Sequence, residues 1–202
     1  MVKAQLLVLG LVACGRALGA EFKIESAEDL IQFSSDVSAK QSYNGTTVFL
    51  DADIEFSGGL SWRFEPIGTE SKYFQGTFDG QGHTISKLVT KTPFEDLGLF
   101  GYSKGATIRN VVLDSSCSFE GSFTGKTDPD FGAIVGHLYD NSTIENSVNM
   151  ASISFKGELE YGHLYFGGIV GLIWARKNGA TVKDCVNYGS VTHTGIVSGS
   201  YT

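Results

Sequence analysis

Four aspartates, Asp79, Asp96, Asp128 and Asp130, are the acids that could act on a long sugar chain, because glycan-cleaving enzymes work with paired carboxylates. Nothing in their linear spacing pairs them across a cleft, and no catalytic residue is assigned. Gly101-Tyr102-Ser103-Lys104-Gly105 fits the G-x-S-x-G pattern of a hydrolase nucleophile, but that chemistry needs a sharp strand-to-helix turn, and a strand pattern follows here. The match is read as chance, with Ser103 in a β-turn. Asp51, Asp53 and Glu55 alternate along a strand and would share one face, yet a calcium loop wants Gly at its sixth place, where Phe56 stands. They read as a solvated strand face. His83, His137, His163 and His193 show none of the close His/Cys spacings of a zinc site and are spread along the chain, which suggests surface or turn positions. No metal and no cofactor is expected.

Binding has better candidates than catalysis. Trp62, Tyr73, Tyr102, Tyr139, Tyr161, Tyr165 and Trp174 could each offer a large flat contact to a sugar ring or a protein. Trp62 and Tyr73 are expected to pack a cap near the N-terminus.

The elements that would carry these residues are set by a repeat. Gly98-Leu99-Phe100-Gly101 is answered by Ala133-Ile134-Val135-Gly136 and by Gly168-Ile169-Val170-Gly171, each 35 residues after the last. Thr107-Ile108-Arg109-Asn110, Thr143-Ile144-Glu145-Asn146 and Thr181-Val182-Lys183-Asp184 follow as a second set. Cys117-Ser118-Phe119, Ile153-Ser154-Phe155 and Val191-Thr192-His193 make a third, so the expectation is three strands per coil. An earlier, degenerate copy spans Phe74 to Leu88, with Thr84-Ile85 matched to Thr107-Ile108. Stacked units bury one another's apolar sides, which no single unit could do alone. Inward positions should include Phe78, Ile85, Leu88, Leu99, Ile108, Val111, Ile134, Ile144, Ile153, Ile169 and Val182. Asn110, Asn146, Asp184, Asn149 and Asn187 recur at matching places and read as structural turn or ladder residues. The fold class is therefore all-β, a right-handed parallel β-helix (solenoid) with one N-terminal capping helix. That helix is expected over about 27 to 39, from the capping pattern at Ser26 to Asp29 and the apolar spacing of Leu30, Ile31, Phe33 and Val37. Tyr161, Tyr165 and Trp174 fall in the longer third-coil insertion and are the candidate ligand-binding residues.

Bulk composition agrees with this. The chain has 202 residues, 42% of them hydrophobic, and its 26 glycines against 3 prolines imply many tight turns. Lys3, the apolar stretch Ala4 to Ala13 and the small residues Ala17-Leu18-Gly19 form an export signal ending before Ala20. A minority alternative makes Leu11-Val12-Ala13-Cys14 a lipobox, with Cys14 lipidated. Export leaves 13 basic against 22 acidic residues, net −9, which argues against a nucleic-acid partner. Cys117 and Cys185 are expected to remain unpaired, and no transmembrane segment is expected. Asn44 and Asn141 head N-x-S/T sequons and are glycosylation candidates in a eukaryotic host.

At the Pro66-Ile67-Gly68 run, the Phe74 to Leu88 run and the Gly-Leu-Phe-Gly series, the chain resembles the GLUG-motif repeat proteins of bacterial-type surface adhesins, over roughly residues 22 to 195. The resemblance implies a non-catalytic β-helical surface module and names no ligand. The organisation expected is a signal peptide at 1–19, an N-terminal cap with helix and first strands at 20–73 and GLUG-like repeats at 74–202, incomplete at the C-terminus and so expected to be a fragment of a longer protein, because Gly195-Ile196-Val197-Ser198-Gly199 opens a further unit. The function expected is adhesion or binding of an extracellular glycan or a host or cell-surface protein, as a secreted or surface protein able to self-associate end to end. The alternatives are a polysaccharide lyase or hydrolase on the same fold, and a purely structural spacer.

Overall fold

The computed structural model describes residues 20–39, 43–92, 94–126 and 128–197, so the signal segment and Cys14 lie outside the described residues. The chain winds as a β-solenoid of about four turns, and every pairing between its named strands is parallel. Parallel stacking makes each coil the floor of the next. One ladder shows the rule: Phe22, Val48, Phe78, Ile108, Ile144 and Val182 lie in register on successive strands of one six-stranded sheet. From Val48 to Ile144 this ladder is fully buried, and it forms the spine of the core.

Five short strands make a complete coil where the sequence pattern suggested three. In the second full coil they are Asp130–Gly132, Val135–Tyr139, Ser142–Glu145, Val148–Asn149 and Ser152–Tyr161. The extra corners come from residues that can hold a left-handed backbone. Asn110, Asn146 and Asp184 stand at φ of +54°, +50° and +53°, one per coil at the same corner. A short amide or carboxylate tolerates that conformation far better than a branched side chain does. Asn149 and Asn187 form the expected ladder, with Asn149 Nδ2 donating to Asn187 Oδ1 at 2.8 Å.

Two registers differ from the sequence reading. Thr107-Ile108 stacks on Thr77-Phe78, whereas Thr84-Ile85 stacks on Val112-Leu113. The repeated Thr-Ile letters misled because the inward position of the first copy is filled by Phe78 instead. In the last strand set Phe119, not Cys117, faces Ile153, a shift of two residues that keeps the same side inward. Cys117 sits buried at the preceding corner, and both cysteines are free.

The N-terminal helix runs Ala27–Ser38. Ser26 caps it by accepting from the Asp29 N–H at 3.2 Å, and Asp29 in turn accepts from the Ser26 hydroxyl and the Glu25 N–H. Leu30, Phe33 and Val37 lie on its buried face. Phe33 packs on Phe74 and Phe78, with ring centres 5.6 and 6.0 Å apart, so the helix closes the first coil as expected. At the other end the core is open. Ile169 is half-buried and Val182 is 37% exposed, because nothing among the described residues stacks on the third coil.

Candidate functional site

The Gly-Leu-Phe-Gly series does more than mark the period. Phe100, Val135 and Val170 lie side by side, and the strand before each run turns onto it through a glycine. A Cβ on Gly136 would stand 2.6 Å from the Asp130 carbonyl oxygen and 2.9 Å from the Leu97 nitrogen. Only glycine lets the strands Asp130–Gly132 and Val135–Tyr139 approach this closely. The side chains flanking that corner are consequently pressed together.

Asp130 pairs in register with Asp96 of the coil below, and His137 follows Gly136 on the adjoining strand. His137 Nδ1 and Asp130 Oδ2 are 2.8 Å apart, and one ligand atom from each of Asp96, Asp130 and His137 lies within 4.8 Å of the others. Asp130 is 4% exposed and His137 8%. Asp130 Oδ1 and His137 Nε2 are buried without a hydrogen-bond partner, a costly state for a polar atom. Burial, reinforced by the Asp130 charge and opposed by His137, pushes the Asp96 carboxyl up to about 7. Burial likewise raises Asp130, against the pull of its His137 hydrogen bond. Shifted acids in a cleft mark a candidate functional site.

The cleft over them has a volume of about 530 Å³ and is walled by Pro66, Glu70, Phe94, Tyr165 and Trp174 among others. Aromatic side chains line up along it. Tyr102 lies 4.4 Å from the His137 ring, and Trp174 stacks nearly parallel to that ring at 6.3 Å. Burial and the Glu70 charge push the Tyr102 phenol up, so its O–H is retained as a donor. Lys104 Nζ sits between the Tyr73 and Tyr139 rings at 5.2 and 5.1 Å, and the Arg176 guanidinium covers Trp174 at 5.1 Å.

Of the three candidate binding residues, Tyr165 and Trp174 meet at this cleft, Trp174 with 47% of its surface exposed. Both stand on ladder strands and not in an insertion. The Tyr161 side chain lies outside the described residues. Three of the four candidate acids, Asp96, Asp128 and Asp130, line the same cleft, an arrangement their linear spacing did not suggest. Asp79 is elsewhere, held by Arg109, Asn110 and the Gln81 N–H at 2.8–2.9 Å.

Other residues fall as follows. Ser103 is fully buried inside the strand Phe100–Lys104 and not in a turn, since its position alternates inward, so no substrate reaches its hydroxyl. Trp62 does not pack the cap. It stands 81% exposed on a 3₁₀ turn, Leu60–Arg63, whose own residues are not buried. Asp51, Asp53 and Glu55 each take a different partner, Lys23, His83 and Lys87, and do not converge. His83 is partly exposed and His163 and His193 are exposed, but His137 is buried in a strand and is a candidate site residue the spacing missed. Asn44 and Asn141 are both exposed at turns.

No family model matches the chain. It is 29% identical over 157 residues to halomucin of Haloquadratum walsbyi, a surface protein; the match covers 74% of this chain and 2% of halomucin. No solved structure matches. The likeness and the stacked coils are compatible with a surface repeat module. No described helix is long and apolar enough to cross a membrane.

Proposed function

We propose that the chain is a secreted or cell-surface module of the GLUG-like β-helical kind that binds an extracellular glycan in the Asp96–Asp130 cleft, without cleaving it. The carrying observation is the joint placement of Tyr165 and Trp174 on the wall of a cleft of about 530 Å³ whose floor is acidic. Aromatic faces stack on the apolar faces of sugar rings, and carboxylates accept their hydroxyl hydrogens. The exported location rests on the N-terminal signal pattern and the halomucin likeness. The exposed Asn44 and Asn141 suit glycosylation, and the open third coil suits end-to-end self-association.

The test is a glycan and surface-protein array probed with the full chain and with Trp174→Ala and Tyr165→Ala. Retention on one glycan class, lost in both variants, is expected. Retention that neither substitution weakens would remove the cleft from the reading.

A second reading, a polysaccharide-active enzyme, is favoured by one observation: an aspartate shifted to about 7 beside a second carboxylate, the pairing that divides acid and base roles in glycan cleavage. New reducing or unsaturated ends from a glycan, abolished by Asp96→Asn, would put it first.

A further inference from the structure

The positions that carry the acidic cluster can be compared coil by coil. In register with Asp96 and Asp130 the third coil has Tyr165, and in register with Tyr102 and His137 it has Leu172. The scaffold therefore accepts an aromatic and an aliphatic side chain exactly where the second coil buries an aspartate and a histidine. Nothing in coil stacking requires Asp130 or His137. Both are more than nine-tenths buried, both line the cleft, and each keeps one polar atom, Oδ1 and Nε2, without a partner. Two such atoms on neighbouring side chains at the floor of a cleft call for a partner, and a bound ion is one that satisfies both.

We propose that Asp96, Asp130 and His137 bind a divalent transition-metal ion, zinc or manganese(II), at the floor of the cleft. The donor set selects the class: two carboxylates alone would suit calcium or magnesium, whereas an imidazole beside them suits a borderline ion. The three ligand atoms already lie within 4.8 Å of one another. An ion at the roughly 2.0–2.2 Å of Zn–N and Zn–O bonds reaches all three after small side-chain rotations. Its charge would compensate the buried Asp130 and half-buried Asp96 carboxylates, which face each other across the coil step. Because all three residues line the cleft, a ligand's hydroxyl or carboxylate oxygen could complete the ion's coordination there. The site stands whether or not the cleft takes a glycan, since it rests on its own residues.

The experiment uses the purified full chain, stripped with EDTA, dialysed and titrated separately with Zn²⁺, Mn²⁺, Ca²⁺ and Mg²⁺. Bound metal is measured by elemental analysis, and tryptophan emission is followed in a Trp62→Phe background, where Trp174 stacks directly on His137. The variants are Asp96→Asn and His137→Leu, the second copying the third-coil residue Leu172, with circular dichroism to establish folding. One Zn²⁺ or Mn²⁺ per chain is expected, with a change in Trp174 emission. Both folded variants should bind more weakly by at least about tenfold, since even changes outside the ligand set commonly cost that much. The proposal is overturned by no stoichiometric uptake of either ion, by uptake unchanged in both variants, or by tighter binding of Ca²⁺ or Mg²⁺.

Discussion

Asp79 and Asp130 are both buried aspartates on the coil strands, and they are opposite in kind. Around Asp79 every requirement is met: Arg109 Nε at 2.9 Å, Asn110 Nδ2 at 2.8 Å and the Gln81 N–H at 2.9 Å all donate to it. Burial would raise its carboxyl, but these donors outweigh burial and hold it below 3.8. Around Asp130 burial outweighs the hydrogen bonding of His137 and Asp96, the carboxyl is raised, and Oδ1 is buried without a donor in hydrogen-bond geometry. A satisfied network fastens one coil to the next. An unsatisfied one of similar burial, replaced by Tyr165 and Leu172 one coil later, is maintained for a ligand. The contrast separates scaffold from site without reference to any relative.

The largest effect should come from the corner that builds the site. Gly136→Ala puts a Cβ under 3 Å from backbone atoms of three neighbouring strands, at Asp130, Gly101 and Leu97. It should cost about 3 kcal/mol, the upper end of overpacking penalties, and part Asp130 from His137. Urea unfolding reads the first effect and loss of Zn²⁺ uptake the second. If the variant unfolds like wild type, the close approach does not hold the corner.

Asp79→Asn comes next, at about 2 kcal/mol, because it removes the charge that Arg109, Asn110 and Gln81 converge on. The pH dependence follows from the sign of the shift. A carboxyl held below its ordinary value adds stability above about pH 4 and loses it as the pH falls through the folded-state value. Wild type should therefore lose stability more steeply than Asp79→Asn between about pH 4 and pH 2. Parallel acid limbs would show that Asp79 is not a fastening point.

Much of this was legible beforehand, for reasons particular residues make plain. The stacking of Phe100, Val135 and Val170 could be read because identical packing at every coil demands similar residues at a fixed period. Asn110, Asn146 and Asp184 could be read because few residue types tolerate their corner. Asp96, Asp130 and His137 could not be read by the same logic, since a site that occurs once leaves no period. A signal was nonetheless present. Asp96-Leu97-Gly98 and Asp130-Phe131-Gly132 share a frame, as do Gly101-Tyr102 and Gly136-His137, and aligning those frames sets the acids side by side next to the histidine. Trp62 departs from the expected cap packing because it stands on a turn that buries none of its own residues.

The smallest expected effect on stability is that of Trp174→Ala. With 47% of its surface exposed, the side chain should contribute under about 1 kcal/mol, so the variant melts close to wild type while losing cleft binding. A large fall in melting temperature would make Trp174 part of the scaffold and weaken the comparison from the other side.

The central claim is that the buried acid–histidine cluster is a site and not a support. It is tested most directly by urea unfolding of EDTA-treated wild type, Asp79→Asn and the double variant Asp130→Tyr/His137→Leu side by side. Replacing both partners by the third-coil residues leaves neither one buried without the other, so the double variant should stay within about 1 kcal/mol of wild type, or be more stable, while Asp79→Asn falls by about 2 kcal/mol. Equal destabilisation of the two variants would contradict the account and make the Asp130–His137 pair structural like Asp79.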